Sequence, residues 1–159
     1  FTKDGSVTAA NASSIDDGAA ALVLASDEWA LTHGKVAIAR IVAQAMYAHD
    51  PAEFNTAPIY SIERLLAKAG MTIDDIDLFE INEAFAVTAL AAKKQLGIPL
   101  EKLNVHGGAV ALGHPIGASG ARILTTLLYA LRRYGKRYGV AALCIGGGEA
   151  TAVLVEMLD

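Results

Sequence analysis

Three short stretches of the chain carry side chains able to move protons or steady a developing negative charge. Asn82 and Glu83 follow directly on the run DIDLFEI; His114 lies inside NVHGGAVALGHPIGASG; Cys144 heads CIGGG. An amide such as Asn82 donates to a carbonyl oxygen or holds a water without changing its own charge. Glu83 beside it reads either as a first-turn carboxylate or as an orienting acceptor. Around His114, glycines at 107, 108, 113, 117 and 120 let the backbone pass close to a ligand, and a neutral imidazole in such a turn suits acid–base chemistry. Cys144 precedes three glycines whose N–H groups can converge on one spot, which is what an oxyanion hole requires. A thiol near a histidine can also be tuned to exchange protons close to neutral pH. Each residue has a plainer alternative: Asn82 as a helix cap, His114 as a packing residue at a tight turn, Cys144 as an inert thiol beside a glycine hairpin.

The elements that must position these groups are legible in the hydrophobic pattern. Leu124, Leu127, Leu128 and Leu131 recur at helical spacing while Arg122, Arg132 and Arg133 avoid the stripe, which predicts a long helix after His114 that stops at Gly135. The positive end of that helix is expected to keep His114 neutral. Tyr138–Ile145 and Thr151–Met157 read as adjacent strands around the glycine turn, and Asp75–Ile81 as a strand running into a helix through AFAVTALAAKKQLG. Ser61–Ala69 fits a helix ended by Gly70, Val36–Tyr47 a strand, and DEWALTHG a short helix capped by Ser26 or Asp27. The apolar run Ala19–Ala25 is expected as a buried strand. Strands alternating with helices predict the α/β class.

Composition narrows the function. The 159 residues are 53% hydrophobic and 19% charged, enough for one domain with a core, and the formal charge of −4 argues against nucleic acid or an anionic membrane as partner. One cysteine allows no internal disulfide and no thiolate zinc cluster, and points to a reducing compartment, the cytoplasm, with mitochondria and peroxisomes left open. No metal site is expected from His33, His49, His106 and His114, which form no i, i+4 pair. His114-Pro115 stands where a phosphate-binding loop would carry Lys-Ser/Thr, and no G-x-G-x-x-G occurs. No run is long enough to cross a bilayer and no signal-peptide pattern opens the chain. A start at Phe1 rather than Met suggests an excerpt of a longer protein.

Together, NEAFA at residues 82–86, GGAVALGHPIGASGAR at 107–122 and CIGGGEA at 144–150 resemble the C-terminal half of the thiolase family. GSVTAANASSIDDGAAALVL resembles the segment joining the two thiolase halves. The resemblance implies a thiolase-like α/β fold with a mixed five-stranded sheet covered by helices. Residues 1–26 would then be the end of the N-terminal half and 27–159 the C-terminal domain. It implies acyl transfer between coenzyme A thioesters, with acetyl-CoA C-acetyltransferase as the expected activity and a broader-chain 3-ketoacyl-CoA thiolase as the alternative. His114 matches the histidine that activates the nucleophilic cysteine and helps bind the thioester oxygen. Cys144 matches the acid/base cysteine, Asn82 the asparagine that holds an oxyanion-hole water, and the Gly146 N–H a donor of the other hole. Ser13, Ala84, Phe85 and Ile116 match positions near the pantetheine.

No cofactor is expected beyond the coenzyme A thioesters themselves, and the resemblance suggests a homo-oligomer, tetramer or dimer. Two departures stand out. The family's nucleophilic cysteine belongs to the N-terminal half and this chain has no second cysteine, so alone it is expected to be inactive. His106 occupies a place where thiolases commonly have asparagine, and is expected to be tolerated rather than functional. A non-catalytic module that binds coenzyme A or lipid, or an assembly partner, is the reading from a different class.

Overall fold

The computed structural model describes residues 3–158. Its strands form where β-branched and apolar residues predominate: β1 (Ala39–Ala48), β2 (Leu78–Ile81), β3 (Tyr138–Cys144) and β4 (Glu149–Met157). They make one sheet in the order β1-β4-β3-β2, with β1/β4 and β4/β3 antiparallel and β2/β3 parallel. A parallel pair cannot be closed by a hairpin, and the connection from β2 to β3 carries three of the five α-helices among the described residues. These are α1 (Asp27–Thr32), α2 (Ala57–Ala69), α3 (Ala86–Leu96), α4 (Ala109–Leu112) and α5 (Ser119–Tyr134).

Alternation along β2 sorts the core into two layers. Phe79 and Ile81 face one way, into a cluster with Ile59, Ile62 and Leu65 of α2 and Ala89 and Ala92 of α3. Leu78 faces the other way, into a cluster with Ile123, Leu127 and Leu131 of α5. Both faces of β2 are therefore covered, and all four of its residues are buried. Leu127 and Leu131 are fully inaccessible, so truncating either to alanine would cost about 2–5 kcal/mol through lost transfer energy and the cavity left behind. The expected strand near Val36–Tyr47 is β1, an edge strand with much of its surface open. The short helix starts as anticipated, with the Ser26 hydroxyl accepting from the Trp29 N–H.

Two expectations need correction. The sheet has four strands, not five. In the fifth place, beside β2, Leu103 makes a single parallel bridge to Phe79 and the Asn104 N–H donates to Phe79 O at 2.8 Å. There the backbone turns away, with Asn104 at φ 46°, a left-handed conformation that asparagine tolerates better than most residues. The Asn104 side chain then does what a fifth strand would do: its Oδ1 accepts from the Ile81 N–H at 2.8 Å and its Nδ2 donates to Ile81 O at 2.9 Å. A buried strand edge must have its polar groups satisfied, and one amide satisfies both. The second correction concerns Ala19–Ala25, expected as a buried strand. It forms none, and Val23 and Leu24 are 95% and 72% exposed. A strand exists only where a neighbour supplies the ladder, and among the described residues this run has no such neighbour.

Replacing Asn104 by alanine removes three hydrogen bonds at once and leaves Ile81 N–H and C=O unpaired, which should destabilise by about 2–3 kcal/mol in urea denaturation. Asn104→Asp should cost more, because its second oxygen would replace the donor now facing Glu83 Oε1. A loss below about 0.5 kcal/mol for the alanine variant would mean that the strand edge is satisfied in another way.

Candidate active site

β2 ends at Ile81, but the chain leaves the sheet one residue later: the Asn82 N–H still donates to Ala142 O at 2.9 Å. Cys144 ends the neighbouring β3. Asn82 and Cys144 thus stand at the same carboxyl edge of the parallel pair, where α/β sheets commonly bind ligands. On β2 the residues facing α5 are Leu78, Glu80 and then Asn82 just beyond the strand. Asn82 is 2% exposed and its Nδ2 lies 3.3 Å from His114 Nε2, while its Oδ1 is buried without a protein partner. It caps no helix, since α3 begins after Phe85.

The partners of His114 define its protonation. Nδ1 is 2.5 Å from Ser119 Oγ, and that hydroxyl donates to Pro115 O at 3.0 Å. A hydroxyl has one proton. Given to Pro115, it leaves a lone pair that accepts from His114 Nδ1–H, and the bare Nε2 can accept from the Asn82 amide. This network assigns a neutral imidazole with its proton on Nδ1. Burial, and then the nearby Arg122 charge, hold its pKa below 6.5. The expected neutral form is thus present for a different reason from the one anticipated. α5 begins five residues beyond His114, at Ser119, and burial leads among the causes.

Several ties hold this loop in place. The Glu83 carboxylate accepts from Asn104 Nδ2 at 2.9 Å and from the Val110 N–H of α4 at 3.1 Å, so it is an orienting acceptor. A Cβ on Gly108 would collide with that carboxylate. Arg122 Nη1 donates to Gly113 O at 2.7 Å. Gly113 has φ 82°, and a side chain there would overlap the Asp16 carboxylate.

The early chain lies across the same loops. Ala12 bridges Phe85, Ser13 donates to Ala84 O from its N–H at 3.1 Å and from its Oγ at 2.9 Å, and the His114 N–H donates to Ser14 O at 2.8 Å. Ser13, Ala84 and Phe85 are accordingly brought together, with Phe85 edge-on to Phe54 at 6.0 Å between ring centroids. Ile116, two residues past His114, is 69% exposed.

Cys144 is buried, and burial pushes its thiol above the ordinary range against a smaller opposing effect of its own backbone N–H. Its sulfur makes no hydrogen bond to Asn82 or His114 among the described residues. In the following turn the Ile145 N–H goes to Glu149 O at 2.7 Å and the Gly148 N–H to Ile145 O at 3.0 Å. Gly146 and Gly147 keep exposed N–H groups with no protein acceptor among the described residues, so two donors remain where the sequence suggested several. His106 is outside the constellation. It is exposed and packs on Tyr134, 5.6 Å between centroids, at the far end of α5 from His114.

Ser119, Arg122, Asn104 and Glu80 escaped the sequence reading. Only Glu80 left a signal, as one acidic residue in an otherwise apolar strand. It is 4% exposed, with Oε1 unpartnered, and burial followed by the Glu83 charge pushes its pKa up to about 8 against the pull of Arg122. It lines a water-sized cavity of about 10 Å³ with Asn82, Glu83, Gly108, Leu112 and Arg122. Among the described residues no group of three His, Cys, Asp or Glu side chains is placed to hold a metal ion, and no helix is long and apolar enough to cross a membrane.

The family model for the thiolase C-terminal domain matches residues 35–157, and that for the thiolase N-terminal domain matches residues 1–28. The chain belongs to the thiolase family. It is 54% identical over 154 residues to acetyl-CoA acetyltransferase 2 of Arabidopsis thaliana, covering 97% of this chain and 38% of that protein. It is 52% identical over 159 residues to the acetyl-CoA acetyltransferase of Escherichia coli, covering 100% and 40%. The crystal structure of the Bacillus anthracis acetyl-CoA acetyltransferase superposes with a TM-score of 0.97 at 47% identity over 99% of this chain and 40% of that one. Human mitochondrial 3-ketoacyl-CoA thiolase superposes with a TM-score of 0.93 at 41% identity over 100% and 40%. This thiolase chain spans about two fifths of the length of those relatives.

The buried Glu80 predicts a pH dependence of stability. Unfolded, the carboxyl releases its proton near 4.5; folded, it keeps it to about 8. Stability is therefore fully present below 4.5 and falls as pH rises to about 8, by an amount on the order of a few kcal/mol. Glu80→Gln should flatten this slope when urea midpoints at acidic and mildly basic pH are compared. Equal slopes for the two proteins would show that Glu80 titrates normally.

Proposed function

We propose that this chain is the acid/base-bearing C-terminal part of an acetyl-CoA C-acetyltransferase, which condenses two acetyl-CoA molecules to acetoacetyl-CoA and catalyses the reverse thiolysis. The observation that carries the proposal is the pairing of Asn82 Nδ2 with a neutral His114 locked by Ser119, at the strand edge that also ends in Cys144. The names of the two relatives above support the acetyl substrate.

In the thiolysis direction the resting proton states are the ones required. His114 carries no proton on Nε2 and accepts one from the thiol of a nucleophilic cysteine, which the N-terminal half supplies. That thiolate adds to the 3-keto carbonyl of acetoacetyl-CoA; the C2–C3 bond breaks, leaving an acetyl thioester on the enzyme and the enolate of acetyl-CoA. Cys144 holds its proton because burial disfavours the thiolate, and it gives that proton to the enolate carbon, releasing acetyl-CoA. A free coenzyme A thiol gives its proton to the Cys144 thiolate and its sulfur attacks the acetyl thioester; the nucleophilic cysteine leaves as a thiolate and takes back the proton held by His114, which restores the resting state. Condensation runs the same steps backwards, with the Cys144 thiolate removing the α-proton. Two titratable groups pushed apart by their surroundings, histidine down and cysteine up, are the mark of such an acid/base division.

The enolate oxygen is held by the Asn82 amide, through water, and His114; the Gly146 N–H donates in the other oxyanion hole. Ser13, Ala84, Phe85 and Ile116 border the pantetheine. The exposed apolar residues Ile15, Val23 and Leu24, with Ile41 and Met46 of β1, are surface for the missing half and for other copies in an oligomer. A broader-chain 3-ketoacyl-CoA thiolase is the second reading, favoured by the human mitochondrial superposition.

Thiolysis of acetoacetyl-CoA should be absent with this chain alone and appear when it is combined with a separately made N-terminal half. Cys144→Ala and Asn82→Ala in the combination should each lower kcat by about 10²-fold or more, since each removes a group acting on the transition state. The acid limb of kcat/KM should lie below 6.5, the direction in which the His114 pKa is displaced. Turnover by the chain alone would refute the need for an external nucleophile. A folded complex that binds coenzyme A without turnover would instead favour a binding module, and preference for longer 3-ketoacyl chains the second reading.

A further inference from the structure

We propose that residues 49–56 are a positioning element for the glycine turn that follows Cys144, and that Gly148 is the residue through which they act. β1 ends at Ala48, and the next residue, His49, donates from its N–H to Gly148 O at 3.1 Å. The two segments then meet backbone to backbone. A Cβ on Gly148 would lie 2.3 Å from His49 O and 3.0 Å from Pro51 N, so no side chain fits there unless the segments part. Gly148 is also at φ 96°, a conformation that favours glycine. The end of the turn is thus seated directly on His49 and Pro51.

The seat is stiff. Pro51 opens a 3₁₀ helix over Pro51–Thr56 with its φ fixed by the ring, and the Asp50 carboxylate accepts from the Ala52 N–H at 2.9 Å. His49 Nε2 lies 2.9 Å from Glu53 O, and the Thr56 hydroxyl donates to the same carbonyl at 2.9 Å. The far end reaches the other wall of the site. Asn55 Oδ1 accepts at 2.7 Å from the hydroxyl of Thr88, fully buried on the first turn of α3, and Phe54 packs edge-on against Phe85. Residues 49–56 therefore span from the turn after Cys144 to the chain that leaves Asn82 for α3. Within the turn, the Ile145 and Gly148 N–H groups are spent on Glu149 O and Ile145 O. Those of Gly146 and Gly147 have no protein acceptor among the described residues, and where they point follows from where Gly148 is seated.

The consequence for turnover rests on the thiolase reading above; the seating of the turn does not. The test therefore measures both in the full-length protein: thiolysis of acetoacetyl-CoA, and amide hydrogen exchange at residues 145 and 148. Gly148→Ala forces the turn away from His49 and should speed exchange at both amides. It should lower kcat by about tenfold or more and change KM by less than about threefold, because a misplaced oxyanion donor acts on the transition state. Gly70→Ala is the control: φ there is 67° with nothing within 4 Å of an added Cβ, so it carries similar backbone strain without a collision and should keep the parent kcat. Two further proteins loosen the seat from its own side and leave the turn untouched. They are Asp50→Ala, which removes the cap, and Asn55→Ala with Thr88→Val, which removes both partners of the buried hydrogen bond. Each should speed exchange at both amides and lower kcat by about threefold or more, and add little on the Gly148→Ala background.

A folded Gly148→Ala protein with the parent kcat overturns the proposal. So does a loss confined to Gly148→Ala, with both loosened proteins unchanged, because the effect would then be strain inside the turn. Faster exchange with an unchanged kcat overturns it as well, since the seat would then hold the turn without serving the site. If Gly148→Ala does not fold, the two loosened proteins decide on the same readings. Exchange that moves as expected while the parent itself shows no thiolysis supports the seating and removes the thiolase reading instead.

Discussion

A single side-chain amide stands where the sheet would otherwise need another strand, and the geometry of the site depends on it. Asn104 gives Ile81 both halves of a peptide pairing and gives Glu83 a donor. The end of β2 is thereby finished without a flat, continuing neighbour. Had the chain gone on as a fifth strand, the residues after Asn104 would have been bound into a ladder. Instead they turn, rise over the sheet edge as the loop carrying His114, and come down into α5. The requirement that buried backbone groups be paired thus decides where the loop can leave the sheet, and so where the imidazole meets Asn82.

The same economy explains the proton states. No charge is needed at the centre of the site, because burial alone raises a thiol and lowers an imidazole. Arg122 strengthens one of these effects, and its charge reaches His114 from α5 rather than from the site's own loop. Glu80 shows the opposite side of that arrangement. It is an acid kept neutral beneath a cation, its proton retained by the low polarity of the layer between β2 and α5 and by the neighbouring Glu83.

The α/β class, both long helices and the hairpin of β3 and β4 were legible because each follows from periodicity and glycine punctuation within one segment. Asn82, His114 and Cys144 were legible because three separate motifs resemble one family. The strand count was not, since it turns on whether an amide at Asn104 replaces a ladder, a fact of side-chain placement. Nor was the exposure of Ala19–Ala25, because an apolar run says that something must cover it but not which part of the chain does. Nothing in the sequence singled out Ser119, because only the path of Pro115–Ala118 turns it towards His114. The expectation for His106 followed from its place in a motif, and its packing against Tyr134 accounts for it without the site.

Ser14 has a bearing on how the protein can be divided. The two family models meet between residues 28 and 35, yet Ser13 is bonded to Ala84, Ser14 to His114, and Asp16 lies against Gly113. Genealogy and mechanics draw their borders in different places. Residues 12–16, upstream of that border, act as a clasp on the loops beyond it. A gene cut at the genealogical seam would yield a downstream piece with an unclasped His114 loop, whereas a cut ahead of Ala12 keeps the clasp with the loops that it closes.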